Sequence, residues 1–407
     1  TAASHLCPPV SYAAVGQRAR QLSVFDVTAI TPFALKARKE GICDCRGNDT
    51  HATGDDLAAA HRARARVRDV TMGGGLAVGP CRPKELPQLR KLLNEVFITE
   101  RNTEGDLFNF APLLYNDANV ENLRVVRDGR TIVGHAGICV RPIRWRGQVF
   151  QAGLIGGVCA RKDLRGTGIG TLAMEDVAQR MTELGLDFGV LWTGSQGFYQ
   201  RLGWRTAGGL CMMRILEAAE GGASGFEVMP LNESPFRPED CHRLHEAAGR
   251  NEVIRTAQET RVQMGIPTRS AWIGLSGGHL AGYAVRAGET LQEIEGDAGV
   301  CAALIVRAAS EGVRRCVFPL NDPRVAAIEG ALPVCVERRS MGMLLIVNRA
   351  SLTAKIAPET CATAADLGIG PLSSAEVLMA RIFGQPEREP SEEPLPLDIH
   401  ISYLDHV

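Results

Sequence analysis

The sequence predicts a mixed α/β protein made of two successive units of like element order, closed by a short C-terminal extension. Three observations predict it. Residues 75–217 read as a helix, antiparallel strands, a central strand, a glycine loop, a helix and further strands. Residues 226–348 repeat that order without the glycine loop, and 349–407 is too short for a third unit of that size. Alternation of helical and strand periods on this scale is the mark of a sheet covered by helices.

Composition bounds the possibilities first. With 407 residues, 45% of them hydrophobic and 22% charged, the chain has the balance of a globular protein of two or three domains. A formal net charge of -1 gives no global field toward nucleic acid or an anionic membrane, and no apolar run is long enough to span a bilayer. The twelve cysteines are scattered, several of them (Cys139, Cys159, Cys211, Cys316) among apolar neighbours. That usage suits buried thiols in a reducing compartment, hence the cytoplasm, rather than a disulfide framework. Cys43-Asp44-Cys45 is a close pair with no matching second pair, so no metal site is expected. Residues 1–74 show no sustained period and read as a poorly ordered N-terminal extension ahead of a natural start near Met72. Arg62, Arg64, Arg66 and Arg68 cluster there without interleaved aromatic residues, which argues against a nucleic-acid module.

From residue 76 the pattern becomes regular. The run 84–97 places Leu86, Leu89, Leu92, Leu93 and Val96 on one helical face. Strands at 122–126 and 131–140 flank Asp128-Gly129, a favoured hairpin turn, and a further pair crosses Arg146-Gly147 into the wholly apolar run 152–160. An amphipathic helix at 168–184 ends at Gly185, and a buried strand follows at 188–192. A short helix at 195–202, with Ser195 as its N-cap, precedes a strand from 204 that closes the unit. After a glycine-rich joint at 220–225 come a helix near 239–250, strands at 270–275 and 280–287, a helix at 298–312, and strands at 315–320 and 341–347. The remainder holds a helix at 373–384, an acidic proline-rich linker at 386–396, and an end segment whose last residues read as a strand.

The chemistry-bearing stretch is Arg161-Lys162-Asp163-Leu164-Arg165-Gly166-Thr167-Gly168-Ile169-Gly170, between a buried strand and a helix start. Alternate glycines let the backbone turn tightly and aim several N–H groups at one point, where the positive end of the following helix adds to them. This is an anion site fit for a diphosphate. It is neither a Walker loop, since no Gly-Lys-Ser/Thr follows, nor the dinucleotide fingerprint, since the glycines run G-x-G-x-G.

These residues resemble the cofactor signature of the GCN5-related N-acetyltransferase (GNAT) superfamily, Arg/Gln-x-x-Gly-x-Gly/Ala, met by Arg165, Gly168 and Gly170. Downstream, GFYQRLGW at 197–204 is similar to the family's second motif. The resemblance covers residues 75–215 and implies a GNAT fold. It implies that acetyl-CoA is the co-substrate, held by Val158, Ala160, Arg165, Gly166, Thr167, Gly168, Ile169, Gly170 and Thr171. It further implies that Tyr199 hands a proton to the departing thiolate, as a phenol of pKa about 10 can. A backbone N–H of 158–160 would polarise the carbonyl oxygen. For the base, Glu95, Glu100, Asp106 and His135 are candidates by location. The two-unit arrangement also resembles the bacterial enhanced-intracellular-survival (Eis) acetyltransferases, which implies that the α-carboxylate of Val407 is the base. Those proteins carry a full third domain where this chain has only a short extension.

The expected function is transfer of an acetyl group to a primary amine of a small molecule, peptide or lysine. A CoA-binding protein without catalysis is the alternative. The second unit, lacking loop and tyrosine, is expected to be structural. An amine-bearing acceptor is the expected partner, without nucleic acid or membrane; a homo-oligomer is compatible with the sequence, which fixes no oligomeric state.

Overall fold

The computed structural model describes residues 75–216, 225–360, 375–384 and 397–407. The expectations placed on 1–74, on Cys43 and Cys45, and on the 386–396 linker lie outside the described residues, as does most of the 220–225 joint.

The chain opens with β1 (Leu76–Pro80), α1 (Leu86–Phe97) and the single turn α2 (Leu107–Phe110). Three strands follow, β2 (Leu123–Asp128), β3 (Thr131–Trp145) and β4 (Gln148–Ala160). Then come α3 (Ile169–Glu183), β5 (Phe188–Leu191), α4 (Gln196–Gln200) and β6 (Arg205–Ile215). The same order recurs as β7 (Glu227–Pro230), α5 (Pro238–Ala248), α6 (Ala257–Met264), β8 (Arg269–Ser276), β9 (His279–Ala287) and β10 (Thr290–Glu295). It continues through α7 (Ala298–Ser310), β11 (Arg315–Pro319), α8 (Arg324–Ala331) and β12 (Val334–Ile346). Helices α9 (Arg349–Thr360) and α10 (Ala375–Phe383) precede the end segment. The fold is thus mixed α/β, as the sequence predicts.

All twelve strands belong to one sheet, ordered β1-β2-β3-β4-β5-β12-β6-β11-β10-β9-β8-β7. Here the structure corrects the expectation that the strand from 204 closes the first unit. β6 does not lie beside β5. β12 is inserted between them, pairing antiparallel with β5 (Met343 opposite Leu191) and with β6 (Val336 opposite Met213), while β6 also pairs with β11. Each half of the sheet therefore receives its last strand from the other half of the chain.

Local chemistry explains the elements that frame the site. Helix α1 buries Leu89, Leu92 and Leu93 on one stripe and carries a proline in its first turn, where the missing N–H costs nothing. Helix α3 stops at Gly185, whose φ of 65° allows Gly185 N to reach Thr182 O and Leu186 N to reach Met181 O. Those two bonds satisfy carbonyls the helix leaves open, an arrangement that favours glycine. Arg146 (φ 45°) and Gly147 (φ 81°) make the tight turn between β3 and β4. Ser195 holds the position before α4 but makes no side-chain cap. Its N–H instead donates to Thr193 Oγ1 at 2.9 Å, a correction to the capping expectation.

Apolar residues of α3 (Ala173, Met174, Val177, Met181) pack on one face of the sheet. Those of α1, α9 and α10 pack on the other. On that second face Asp187, wholly buried, accepts from Gln151 N (2.7 Å), Ser351 Oγ (2.6 Å) and Lys355 Nζ (2.7 Å), fastening α9 over the β4–β5 pair. The end segment forms no sheet strand, contrary to expectation. It makes one bridge, His400 to Glu252, and a 3-10 turn at Tyr403–Asp405. Its polar side chains are used for docking: Asp398 Oδ1 accepts from Trp145 Nε1 (2.8 Å) and Asn251 Nδ2 (3.0 Å), and Ser402 Oγ donates to Gln292 O (3.1 Å).

Candidate active site

Strands β4 and β5 run parallel but pair only from Ala152–Leu154 to Phe188–Val190. Beyond Leu154, β4 continues six residues to Ala160 while β5 ends, so one edge of 155–160 carries no strand partner among the described residues. An unpaired backbone edge is a template for an extended ligand. A cavity of about 750 Å³ opens in this wedge, bordered by Val158, Ala160, Arg165, Gly170, Tyr199 and Val407 among others.

A bulge shapes the wedge. His135 faces Cys159 and Gly137 faces Gly156, so Gly157 and Val158 stand opposite Ala136 alone. Gly157 adopts φ 63°, and a Cβ there would lie 2.0 Å from Tyr115 Oη; only glycine fits. His135 braces the bulge from below, its Nδ1 2.8 Å from Gly157 O. A carbonyl only accepts, so Nδ1 carries the proton. Burial drives the His135 pKa down to about 4, and the ring stays neutral at ordinary pH.

At the other end of β4 the glycine loop leads into α3. Gly166 (φ 81°) and Gly168 (φ 98°) take left-handed conformations that favour glycine. Ile169 is buried against β3, where a Cβ on Gly134 would lie 2.3 Å from Ile169 Cγ2; the bare Gly134 lets the helix start approach the sheet. The first-turn N–H groups of α3 have no intrahelical partner and carry the positive end of the helix dipole. Of the loop residues, Arg165 and Gly170 border the cavity. Gly166, Thr167, Gly168, Ile169 and Thr171 are not on its wall, and the Thr167 hydroxyl donates to Leu164 O at 2.7 Å. Arg161 is engaged with Asp163 at 2.7 and 2.9 Å. Arg165 Nη2 donates to Glu100 Oε1 at 2.8 Å.

Tyr199 is buried on the cavity wall. Burial, then the neighbouring Cys159, push its pKa up to about 12 against a hydrogen bond with Thr193, so the phenol keeps its proton. The chain end stands opposite. A Cβ on Gly156 would lie 2.8 Å from both C and O of Val407, so the main chain of Val407 rests against the bulged strand. Beside it His406 stacks on Trp192 with ring centroids 3.6 Å apart. Asp405 lies buried 3.8 Å from Arg255, which also donates to Glu293 at 2.7 Å; these contacts fix the approach of the last residues.

The four side-chain candidates for the base fare differently. Glu95 is exposed and off the cavity wall. Asp106 caps α2 through Phe108 N and is held by Arg90 and Asn94. Glu100 reaches the cavity but is paired with Arg165, and His135 is spent on the bulge. Three wall residues, Tyr115, Trp192 and His406, escape sequence reasoning, because their roles depend on chain segments meeting in space. Elsewhere, His245, Glu252 and Glu295 offer ligand atoms within 4.8 Å of one another. Arg250 already donates to Glu295 and Arg255 to Glu293 beside them, so protein cations balance these carboxylates.

A splayed parallel pair, a bulged strand and a glycine-rich helix start thus frame one cavity. Residues 78–207 match the family model of the acetyltransferase (GNAT) domain. The solved GCN5-related N-acetyltransferase from Kribbella flavida superposes with a TM-score of 0.52 at 17% identity, covering 70% of this chain and 74% of that one. The GCN5-related N-acetyltransferase from Anabaena variabilis gives a TM-score of 0.53 at 15% identity, covering 69% and 75%. At such identities these likenesses establish the fold alone. Eis1 from Mycobacterium abscessus aligns over 69% of this chain and 76% of its own at 13% identity, but its TM-score of 0.49 carries no argument. No curated protein matches the sequence. Among the described residues no helix is long and apolar enough to cross a membrane.

Proposed function

We propose that the chain is an N-acetyltransferase that moves the acetyl group of acetyl-CoA to a primary amine of a small molecule, peptide or lysine. The observation that carries this reading is the shared wall: Val158, Gly170, Tyr199 and the Val407 carboxylate border one cavity in the splay. The unpaired edge of β4 and the free first-turn amides of α3 suit the two parts of the co-substrate, an extended amide-bearing arm and a diphosphate. When bound, acetyl-CoA supplies an activated thioester. In this reading Val158 and Ala160 hold the arm through their backbone, and Arg165 with the amides of 169–171 holds the diphosphate. The Val407 carboxylate takes a proton from the acceptor's ammonium, and the Tyr199 hydroxyl gives a proton to the departing sulfur. Residues 226–348 serve as a structural unit that seats the C-terminal segment.

Removal of His406 and Val407 tests the reading. Acetyl-CoA consumption across a panel of amines should vanish while calorimetry still records CoA binding. Full turnover after removal would take the terminal carboxylate out of the mechanism. An intact chain that does not bind CoA would end the acetyltransferase reading altogether.

A further inference from the structure

We infer that the acceptor is a monoamine with a flat apolar body rather than a polycation, and that Arg101 enforces this choice; the inference rests on the acetyl-transfer reading above. The cavity wall has one acidic side chain among the described residues, Glu100, and its Oε1 is taken by Arg165 Nη2 at 2.8 Å. The second carboxylate is that of Val407, which meets the reacting amine. A further ammonium on the acceptor finds on that wall only a carboxylate already paired with Arg165, and a poorly paired cation brought out of water is costly. Asp106, on the neighbouring helical wall, is already committed to Arg90 (2.6 Å) and Asn94 (2.9 Å).

Arg101 makes the exclusion active. It borders the cavity with no carboxylate partner within ion-pair distance among the described residues, and its guanidinium lies over the Phe97 ring, 5.0 Å from the centroid. A second positive charge on an acceptor meets this cation, and like charges repel. The rest of the wall suits an apolar body. Phe97, Leu107, Ala111, Tyr115 and Trp192 face the cavity. Two of these rings are fixed in place: Trp192 Nε1 donates to Met341 O at 2.7 Å, and Tyr115 stacks on Phe108 at 4.6 Å with an 11° interplanar angle. Rigid aromatic rings on a wall select flat apolar ligands.

The test compares kcat/KM for 2-phenylethylamine and tryptamine with kcat/KM for spermidine and kanamycin, in the full chain and in Arg101→Glu and Arg101→Lys. The aromatic amines should be preferred by at least about tenfold, as expected where one site leaves a charge unpaired. Arg101→Glu should shrink that preference about tenfold or more, and Arg101→Lys should keep it. Spermidine or kanamycin used as well as the aromatic amines overturns the inference, and so does failure of all four amines in a chain that binds CoA. A preference that survives Arg101→Glu unchanged overturns the role of Arg101. The acetyl-transfer reading is judged separately: it falls if the intact chain does not bind CoA, or if it binds CoA and acetylates no amine of the wider panel.

Discussion

The carbonyl carbon of Val407 crowds the point where any side chain at position 156 would begin. A Cβ on Gly156 would stand 2.8 Å from that carbon and from its oxygen, so the absence of a side chain in β4 admits the end of the polypeptide to the wedge. A hydrogen atom at position 156 thus sets where a carboxylate rests.

Gly156→Ala should displace the Val407 carboxylate and, with it, the Leu114 side chain, whose Cδ2 would be 2.9 Å from the new methyl. Misplacing a reacting group by about 1 Å costs on the order of 100-fold in rate. Steady-state kinetics should therefore show kcat falling by one to two orders of magnitude. CoA affinity by calorimetry should change little, since the displaced groups lie on the acceptor side.

Tyr199→Phe removes a hydroxyl that burial and Cys159 hold protonated up to a pKa of about 12. A lost general acid costs about 10²–10⁴-fold. The kcat of the variant should fall within that range with KM for acetyl-CoA little altered. For the unmodified chain, the pH–rate profile should show no falling limb from Tyr199 up to pH 10. A rate of the variant equal to that of the parent would show the ring to be packing only.

Stability should decline in mild alkali through His245. Burial alone would lower its pKa, but the hydrogen bond to Glu295 at 3.3 Å and the charges of Glu293 and Glu252 overcome burial and Arg255, raising it to about 9. A histidine whose folded pKa exceeds its unfolded value of about 6.5 contributes stability below pH 6.5, and that contribution is lost as pH rises through 9. Burial also raises Glu252 to about 7, which costs stability between about pH 4.5 and 7 and adds no further slope above that. Thermal melts should show Tm falling by several degrees between pH 6.5 and 9, and His245→Gln should flatten that slope.

Asp187→Ala should loosen α9. The substitution strands Lys355 Nζ, Ser351 Oγ and Gln151 N, all of which now donate to one buried carboxylate. Lys355 keeps some access to water, with 29% of its side chain exposed, which tempers the penalty. A loss of about 2–3 kcal/mol is expected from breaking such a cluster, read as a lower midpoint in urea unfolding.

Much of the first half of the sheet is legible in sequence because its signals are local. The Asp128-Gly129 turn, the stripe of α1 and the glycines at 166, 168 and 185 each act within a few residues of themselves. Strand β10 escaped because Glu293 and Glu295 interrupt its apolar pattern. In the structure both are buried, and the reason lies far along the chain: Arg250 and Arg255, from the connection between α5 and α6, supply the counter-charges. The slot of β12 escaped for a similar reason, since its 341–347 run is as apolar as any buried strand and carries no mark of which neighbour it pairs with. At the site, the anion loop and Tyr199 sit within recognisable local patterns. Tyr115, Trp192 and His406 do not, because each reaches the cavity through a path set by tertiary packing.

The lodging of β12 between β5 and β6 also governs how the molecule can be divided. A fragment ending at Ile215 would present β5 with a bare edge, and its β6 would have lost both neighbours. Naked edges of apolar strands recruit other chains. Neither segment is therefore self-sufficient, and the cavity in the splay comes into being only after the ribosome has released residues far beyond it. A protease cut near 217–224 should leave two pieces that stay associated until denatured, like fingers of clasped hands.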